Sequence, residues 1–473
     1  MFPVEKSIPV RTVYDDLTAI QSELDKCMHC GFCMAVCPVY KTTKTESGVA
    51  RGKIGVAEAV MAGNLQIDDQ DVVDMLFNCL VCKSCMQNCP TKVDFGRIIL
   101  ALRCAVVREK GLPWVKKAIF STLEHQGVFD LGMKTGARLS GLLFRQAGQQ
   151  AIAPRASLAL LGKSAGFDQN RRLPALAKKP LRDRLPDVLP VENPVARVAF
   201  FTGCSFNYLY PEVGEDLVSV LQENNIAVVI PRDQGCCGVP VLVHGDIESI
   251  RRLGRKNIDA MDNSGVDYIV TGCGSCGGAW QHDYPEIFRQ DPVYGPRAEF
   301  WRSRTYDIST LLTDVTGYRI PRGQVNAVLT YHDPCHLKKV MKVSREPRQI
   351  LKNIPGVIFK EMARADACCG SGGSYVLTHF KTSVAIAERK INDVNHTDAD
   401  TITTGCPACM MQLSDNVHRF GRRQKSGIIF LFLPNRTAKR KRRGYSNRLI
   451  LPNAKVAATF TSLQRHWKEA KAF

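Results

Sequence analysis

The sequence contains no long hydrophobic run. Its longest uninterrupted apolar stretch, residues 428–433, has six residues and ends at Pro434, whereas a helix that spans a bilayer needs about 20. Charged side chains interrupt residues 1–17, so no secretion signal is expected there. These absences predict a cytoplasmic protein, which could sit peripherally on the inner face of the membrane.

Nucleotide-binding signatures are also missing. No G-x-G-x-x-G follows a predicted strand, so we expect neither FAD nor NAD on this chain. The glycine-rich stretch 370–373 lacks the G-x4-G-K-[ST] pattern of a phosphate loop, and a tight turn is the preferred interpretation. Without a hydride acceptor of its own, the chain is not expected to oxidise a substrate by hydride transfer by itself.

Acidic residues are scarce at the C-terminal end. Beyond residue 420, 14 Lys or Arg face a single Glu, so most of the net charge of +19 belongs to this segment. A basic run of this kind attracts nucleic acid or an acidic membrane surface, but a solvated extension is the preferred interpretation. We predict a disordered basic tail over 421–473 and expect no nucleic-acid partner.

Cysteine, in contrast, is abundant, with 19 in 473 residues. A large chain with no export signal argues against a disulfide framework and favours metal ligands. Ten of these cysteines form two matching sets offset by 131–133 residues. The first set is Cys204, Cys236, Cys237, Cys273 and Cys276, and the second is Cys335, Cys368, Cys369, Cys406 and Cys409. Each set offers five soft ligands, as an iron–sulfur centre requires.

The two sets lie in similar surroundings. In each, an adjacent cysteine pair precedes a glycine, Gly238 or Gly370, whose freedom allows a close approach or a positive φ. Predicted strands lead into the cysteines of both sets, and helices alternate with them, so the ligands fall where strands end. The sequence therefore predicts two duplicated α/β Cys-Cys-Gly domains, 195–320 and 321–420.

Two further cysteine runs precede these domains. Each has the bacterial ferredoxin spacing C-x-x-C-x-x-C-x3-C-P, in which the fourth cysteine ligates the other cluster. We predict one [4Fe–4S] cluster on Cys27, Cys30, Cys33 and Cys89. We predict a second on Cys79, Cys82, Cys85 and Cys37. Zinc is the alternative, but the triple run with its trailing Cys-Pro suits a zinc site poorly.

The segment between the runs carries helical patterns, at 55–62 and 71–77, so residues 1–111 are predicted to form a helical ferredoxin domain. Its cations Arg51, Lys53 and Arg97 either offset cluster charge or are solvated surface groups. Cys104 lies in a predicted helix outside both runs and is expected to be a buried apolar residue.

Residues 112–194 are predicted to be a helical connector followed by a proline-rich extended linker. Packing between domains is the preferred role for the connector, and docking against a partner or a membrane is the alternative. Two histidines, His244 and His332, lie near cysteines in the sequence and are either proton donors or structural residues. No catalytic residue is assigned from the sequence.

Two ferredoxin runs followed by two Cys…Cys-Cys-Gly…Cys-x-x-Cys modules resemble the iron–sulfur subunits of membrane-associated oxidoreductases. These include the subunits of glycolate oxidase, lactate utilisation and anaerobic glycerol-3-phosphate dehydrogenase, and the catalytic subunit of heterodisulfide reductase. The resemblance covers roughly residues 25–420. The spacing around Pro334-Cys335-His336, residues 368–373 and residues 405–409 is most similar to the glycolate and lactate group. An α+β multidomain fold is expected.

The resemblance implies an electron-transfer subunit of a flavin-linked 2-hydroxy acid dehydrogenase. A partner FAD subunit would oxidise glycolate or lactate, and electrons would pass through this chain toward quinone or another acceptor, reached directly or through a membrane partner. One or two noncubane [4Fe–4S] clusters are implied in the Cys-Cys-Gly domains, although some relatives have lost ligands or bind zinc in one copy. The alternative is a disulfide reductase of the heterodisulfide type. A zinc-stabilised scaffold is a third interpretation.

Overall fold

The computed structural model describes residues 12, 14, 16–148, 151–156, 170–320, 323–422 and 425–428. The N-terminal domain is helical over this range, as the long segment between the cysteine runs predicts. Its helices are Leu17–Ile20, Gln21–Leu24, Pro38–Thr43, Glu46–Gly48, Ala50–Met61, Gln70–Phe77, Ser84–Gln87 and Phe95–Lys110.

The central helix of this domain is Phe95–Lys110. It begins where the Asp94 carboxylate accepts a hydrogen bond from the Arg97 amide at 3.0 Å, which satisfies one of the free amides of the first turn. Eleven of its 16 residues are buried, including Cys104. Cys104 is therefore a small buried side chain, as predicted, and the helix forms a floor on which the cysteine loops pack.

The connector contains two long helices, Trp114–Glu124 and Gln126–Leu143, and then a three-stranded antiparallel sheet. Its strands are β1 (Phe144–Gln146), β2 (Ala151–Pro154) and β3 (Leu173–Pro174). The sequence predicted only helix and linker here, because leucines recur at helical spacing up to Leu143 and the later strands are too short to show an alternating pattern. None of the helices in the described ranges combines the length and hydropathy needed to cross a bilayer.

The first module has a five-stranded sheet in the order β4-β6-β5-β7-β8. Its strands are β4 (Val188–Leu189), β5 (Ala196–Phe200), β6 (Ile226–Val229), β7 (Tyr268–Thr271) and β8 (Thr305–Asp307). All pairs are parallel except β4 with β6. Strand β4 comes from the predicted proline-rich linker, so the module begins before residue 195. A two-residue edge strand flanked by prolines carries no periodic signal.

Helices connect the strands of the first module along the chain. They are Leu181–Arg184, Gly203–Tyr208, Pro211–Glu223, Val239–Leu242, Ile247–Asp262, Gly274–Gly278, Ala279–Asp283, Tyr284–Ile287, Tyr294–Arg302, Ile308–Thr310 and Leu311–Val315. The core beneath them includes Trp280 and Tyr284, which pack edge-on with ring centroids 5.0 Å apart.

The second module has a four-stranded parallel sheet in the order β10-β9-β11-β12. Its strands are β9 (Ala327–His332), β10 (Val357–Phe359), β11 (Thr401–Thr404) and β12 (Lys425–Ile428). Its helices are Cys335–Lys339, Arg345–Lys352, Tyr375–Thr378, Phe380–Asn395 and Pro407–Phe420. Strand β12 pairs with β11 and lies beyond the predicted domain boundary at residue 420. The sequence did not indicate this strand, because it has only four residues and stands at the start of a segment rich in Lys and Arg. The remainder of the predicted basic tail, 429–473, lies outside the described residues.

The two modules repeat the same strand arrangement, as the duplicated cysteine spacing predicts. In the first, β5 lies between β6 and β7, and in the second, β9 lies between β10 and β11. Cys273 and Cys406 follow the carboxyl ends of β7 and β11, while Cys204 and Cys335 follow β5 and β9 after short loops. Ligands therefore gather at the edge of the sheet where parallel strands end.

Close packing between two short helices joins the modules. The helix Gly274–Gly278 lies against Cys335–Lys339, and a Cβ added to Gly274 would lie 2.9 Å from the Leu337 amide nitrogen. A Cβ on Gly277 would collide with the Met341 sulfur. The glycine-rich sequence between and after Cys273 and Cys276 thus allows the two cysteine-bearing edges to meet.

Candidate metal centres

Two cavities in the N-terminal domain are lined by the two ferredoxin cysteine sets. One, of about 420 Å³ including its open mouth, is lined by Cys27, Cys30, Cys33, Cys89 and also Cys85. The other, of about 470 Å³, is lined by Cys37, Cys79, Cys82 and Cys85. The fourth cysteine of each run therefore lies with the first three of the other run, in the crossed arrangement that the spacing predicts.

Matched backbone strain shapes the two loops. His29 and Val81 occupy equivalent positions in the two runs, and both have left-handed backbones with φ of 49° and 50°. The next pair, Gly31 and Lys83, is also left-handed. A β-branched residue such as Val81 in this region costs on the order of 1–3 kcal/mol and persists only where the surroundings impose it. These left-handed residues make each loop curve around its cavity.

Burial disfavours the charged thiolate form of these cysteines. It raises the pKa of Cys37 to about 12, and it raises the pKa of Cys85 well above the usual value. Thiols of this kind stay protonated unless a cation stabilises the thiolate, and a bound metal ion is the strongest such cation. The soft four-sulfur sets and the size of their cavities fit [4Fe–4S] clusters.

Protein cations also surround the second ferredoxin set. Lys53 is fully buried, and its ammonium donates a hydrogen bond to the Ser47 carbonyl. Arg103 is buried as well and donates to the carbonyls of Leu76 and Cys79 at 2.9 and 2.8 Å. Lys53 is thus one of the predicted cations that lies in the interior, and Arg103 is a buried cation that the sequence did not single out.

The other two predicted cations lie in ion pairs. The Arg51 guanidinium is 2.6 Å from the Glu46 carboxylate and also donates to the His29 carbonyl at 3.0 Å, so it ties the first cysteine loop to the domain. Arg97 pairs with Glu286 of the first module at 2.8 Å. Both side chains are therefore paired, and their contacts hold the loop and the domain interface in place.

The first module brings its five cysteines together at the sheet edge. Contacts link the thiols in the order Cys204, Cys236, Cys237, Cys276 and Cys273. Hydrogen bonds from the Cys236 and Cys276 thiols lower the pKa of Cys237 to about 6. Five convergent sulfurs, four of them buried, form a donor set that suits an iron–sulfur centre.

The glycine after each cysteine pair has the positive φ that the sequence predicts. Gly238 has φ 82° and Gly370 has φ 86°. The amide of each donates to a cysteine sulfur, Cys236 or Cys368, at 3.4 Å. A Cβ on Gly370 would lie 2.6 Å from the Ser383 carbonyl oxygen, so the turn has room for no other residue. The same device thus orients the cysteine pair in both modules.

The second module differs from the first in its contacts. Thiols touch in the order Cys368, Cys369, Cys409 and Cys406. The first cysteine of the set, Cys335, lies 3.8 Å from the His336 imidazole, and burial raises its pKa to about 12. A histidine, His332, joins the set instead. Its ring nitrogen and the sulfurs of Cys369 and Cys409 all lie within 4.8 Å of one another.

The cysteine sets are connected to one another. Cys82 of the second ferredoxin run contacts Cys368 of the second module, and this contact is the largest influence lowering the pKa of Cys82. At the other end of the same module, Cys406 contacts Cys273 of the first module. The thiols therefore form a series that runs from the ferredoxin domain through the second module to the first.

A cation marks the first of these junctions. Lys339 of the second module is buried and donates a hydrogen bond to Ser84 in the second ferredoxin run. Burial alone would lower the pKa of Lys339, but the neighbouring Cys82 and Cys335 thiolates outweigh it and raise the pKa. Lys339 therefore carries a positive charge where cysteines of two sets meet.

The sequence indicated the same two possible roles for His244 and His332, and the structure places the two histidines in different surroundings. His244 is buried between the rings of Phe77 and Phe120, and its two nitrogens contact Lys116 and Ser374. It joins the connector to both modules, which is a structural role. His332 instead faces cysteine sulfurs. The signal that could have found it is its place three residues before Cys335, where the first module has Phe201.

Comparisons with known proteins agree with this architecture. Residues 23–93 match the family described as 4Fe-4S dicluster domain, and residues 198–280 and 329–414 each match the family described as cysteine-rich domain. A ferredoxin-like domain followed by two cysteine-rich domains defines the chain as an iron–sulfur subunit of an oxidoreductase.

Comparison with individual relatives identifies the family of the chain more narrowly. The chain is 32% identical over 419 residues to the probable glycolate oxidase iron–sulfur subunit of Bacillus subtilis strain 168, covering 87% of this chain and 93% of that one. It is 29% identical to lactate utilization protein A of Exiguobacterium, over 47% of this chain and 91% of that one. One subunit of the dihydromethanophenazine:CoB–CoM heterodisulfide reductase of Methanosarcina barkeri is 26% identical, over 85% and 91%. The chain belongs to the family of the glycolate oxidase iron–sulfur subunit and lactate utilization protein A.

Proposed function

We propose that this chain is the electron-transfer subunit of a flavin-linked 2-hydroxy acid dehydrogenase of the glycolate or lactate type. A partner FAD subunit would oxidise the hydroxy acid, and this chain would pass the electrons toward quinone or another acceptor. The observation that carries the proposal is the unbroken series of thiol contacts, from Cys82 through Cys368 and Cys406 to Cys273. Cysteines that only stabilised each domain locally would not have to contact one another across domain boundaries.

The residues that would hold the cofactors are the four cysteine sets. The two ferredoxin sets fit [4Fe–4S] cubanes, and the two modules fit further iron–sulfur centres of the noncubane kind. Iron–sulfur clusters supply one-electron carriers when bound, with potentials set by charge, hydrogen bonds and exposure. The chain contributes Lys53, Arg103 and Lys339 as buried cations that stabilise added negative charge near the second set and its junction.

The loop of the first ferredoxin set is the proposed site at which electrons enter. Cys30 is exposed, and its neighbours Met28 and Phe32 are 69% and 58% exposed. Large apolar side chains around an exposed ligand suit contact with another protein, because burying them on docking is favourable. We propose that the flavoprotein partner docks on this loop. From there, the order of the thiol contacts gives the direction of transfer toward the second module and then the first.

The test is reduction of the purified full-length protein. Prepared without oxygen, the chain should contain roughly 14–16 irons if all four sets are filled with clusters. Its visible absorbance should bleach when it is mixed with the partner FAD subunit and with glycolate or lactate. A Phe32→Glu variant should keep its iron and lose this bleaching, whereas Phe300→Glu, at another exposed phenylalanine, should behave as the parent protein. Protein free of iron, or bleaching unaffected in Phe32→Glu, would contradict the proposal.

Disulfide reduction is the second candidate function. Both modules keep all five cysteines, and the contact between Cys273 and Cys406 brings the two sets side by side. A relative named as part of a heterodisulfide reductase matches 85% of this chain. Reduction of a mixed disulfide of two small thiols by the prereduced protein, without any response to a hydroxy acid and flavoprotein, would favour this function over the first.

We also propose that the connector holds the protein peripherally on an anionic membrane surface. Its two helices expose an apolar stripe formed by Trp114, Val115, Ile119, Val128, Leu131, Leu139 and Leu142. The only acidic residues between 111 and 148, Glu124 and Asp130, face the first module and bind Arg252 and Tyr208. The cations Lys117, Arg138 and Arg145 remain exposed. An exposed apolar stripe bordered by cations is typical of helices that lie in the lipid interface.

Sedimentation with vesicles tests this surface. The full-length protein should bind phosphatidylglycerol vesicles and should bind much less to uncharged phosphatidylcholine vesicles, because the cations lose their partners there. A Leu131→Glu/Leu142→Glu double variant should lose binding to phosphatidylglycerol as well, because two charges enter the apolar stripe. Ile358→Glu, at an exposed apolar residue of the second module, is the matched control and should bind normally. Equal binding of the double variant and the control would contradict the proposal.

A further inference from the structure

The two modules differ at one position that faces the cysteines. His332 is the last residue of β9, and the equivalent residue of the first module is Phe201, the residue after β5. Phe201 is fully buried and packs edge-on against Trp280, with ring centroids 5.6 Å apart. The first module thus has an apolar wall where the second module has an imidazole.

The His332 ring is held in one orientation and one tautomer. Its Nδ1 lies 3.1 Å from the Ala365 carbonyl oxygen. A carbonyl can only accept, so Nδ1 carries the proton and donates it. The same carbonyl accepts hydrogen bonds from the Asp333 amide at 3.0 Å and the Lys390 ammonium at 3.2 Å, so it is itself fixed in place. The second nitrogen, Nε2, is left with its lone pair.

That lone pair is buried and faces sulfur. His332 is 1% exposed, and its Nε2 makes no hydrogen bond of ordinary geometry within the described ranges. A buried imidazole nitrogen without such a bond is unfavourable, so it is retained only where another interaction compensates for it. Its neighbours are the sulfurs of Cys369 and Cys409.

We infer that His332 is a metal ligand, so the second module holds a mixed nitrogen–sulfur centre whereas the first holds an all-sulfur one. The arrangement is that of metal-binding histidines in general, which donate one ring N–H to a carbonyl and coordinate through the other nitrogen. Imidazole and thiolate together suit zinc or an iron of an iron–sulfur cluster. The inference rests on the proposed function, in that it takes the second module to be a metal centre.

The position of Cys335 agrees with this assignment. In the first module, the equivalent Cys204 contacts the cysteine pair through Cys236. In the second module, Cys335 lies beside the His336 imidazole at 3.8 Å, and His332 contacts the pair. His332 therefore adds a nitrogen beside the second cysteine of the pair, Cys369, whereas the fifth thiol of the first module contacts the first cysteine of its pair, Cys236.

The experiment measures nitrogen bound to metal in the full-length protein purified without oxygen. Protein labelled with ¹⁵N-histidine is examined by pulsed EPR of its reduced iron–sulfur centres and by zinc-edge X-ray absorption. We expect one centre with a directly bound imidazole nitrogen, seen as strong coupling to the label if the metal is iron or as a nitrogen neighbour if it is zinc. The labelled parent protein gives this result without any substitution that could disturb folding.

Variants then assign the nitrogen. His332→Phe, which copies Phe201, should lose the bound nitrogen completely, and the control His244→Gln should keep it. Full metal content with sulfur coordination alone, or a bound nitrogen that survives His332→Phe, would overturn the inference and leave the proposed function standing. A weak coupling typical of a hydrogen bond to the cluster would overturn it as well. Protein with no iron at all would instead contradict the proposed function.

Discussion

The two cysteine-rich modules have the same strand arrangement and cysteine pattern, yet their cysteine sets have different neighbours. The second contacts the ferredoxin domain through Cys368 and Cys82, with Lys339 at the junction. The first packs against the connector, where Phe120 lies in one cluster with Val241 and Leu253. Duplication thus gave two similar cysteine sets, and only the second of them contacts a cysteine of the ferredoxin domain among the described residues.

This difference teaches that the order of the modules along the chain is not the order in which the thiol contacts connect them to the ferredoxin domain. The first module precedes the second in sequence, but the series of thiol contacts reaches the second module first. If electrons follow these contacts, the second module receives them from the ferredoxin domain and hands them to the first. Three measurements can break or sharpen this comparison.

The largest effect is expected from serine substitutions at equivalent cysteines. Cys368→Ser removes the thiol that contacts Cys82, so reduction of the first-module centre by a reduced protein donor should slow roughly tenfold or more, a barrier of at least about 1.4 kcal/mol. Cys236→Ser alters the first module only, and the second-module centre should still be reduced at close to the parent rate. Freeze-quench EPR follows both centres. Similar slowing in both variants would show that the modules receive electrons independently.

Among the effects on stability, the larger concerns the residue after His332. Asp333 is 1% exposed and is held by the Arg348 guanidinium at 2.8 and 2.9 Å. Arg348→Met removes the bidentate partner of that buried carboxylate and leaves it the Ser344 hydroxyl at 3.0 Å and the Lys338 ammonium at 3.7 Å, so the free energy of unfolding should fall by about 3 kcal/mol, the lower end of the range for a broken buried pair. In the first module, Thr202 stands in place of Asp333, and its amide donates to neutral Gln234 at 2.8 Å. Gln234→Leu should cost about 1–3 kcal/mol.

Urea unfolding monitored by circular dichroism measures both changes. Arg345→Met is the matched control on the same helix, because the Arg345 side chain is 71% exposed and its ion pair should contribute no more than about 1 kcal/mol. If Arg348→Met were no more destabilising than this control, the buried charge would not distinguish the second module from the first.

The smallest effect is a pH dependence at the point where the modules meet the connector. Burial, together with the charges of Lys116 and Arg103, lowers the pKa of His244 to about 3. The unfolded chain binds a proton near pH 6.5 and the folded chain does not, so stability is lost as pH falls below about 6.5, at up to about 1.4 kcal/mol per pH unit.

Thermal unfolding between pH 7.5 and 5.5 tests this slope. His244→Gln should flatten the decrease in unfolding temperature over that range, and His125→Gln, at an exposed histidine of the connector, should leave it unchanged. A slope unaffected by His244→Gln would mean that this contact between the connector and the modules does not titrate as described.

Much of the architecture could be predicted from the sequence because cysteine spacing is a direct record of ligand geometry. The duplicated sets predicted two equivalent modules, and their sheets have the same strand arrangement. The positive φ of Gly238 and Gly370 followed from the tight turn at the cysteine pair. These features depend on local sequence, so they can be read without knowledge of the fold.

The features that the sequence did not indicate depend on contacts between distant segments. Strands β4 and β12 are four residues or fewer and owe their pairing to a sheet edge formed elsewhere in the chain. The order of the cysteine sets could not be predicted, because it rests on the contacts of Cys82 with Cys368 and of Cys273 with Cys406. His332 was visible only as a histidine near cysteines, and its orientation comes from Ala365, 33 residues away.

The exposed loop around Cys30 determines where the protein is oxidised first in air. Met28 and Cys30 lie at the surface, while most thiols of the two modules are buried. Oxidants therefore reach this loop first, and we expect Met28 to be converted to its sulfoxide before the buried thiols are oxidised. Aerobic damage would then disconnect the molecule from its donor while leaving the deeper sites and the fold intact, so an inactive preparation can still be brown and well folded.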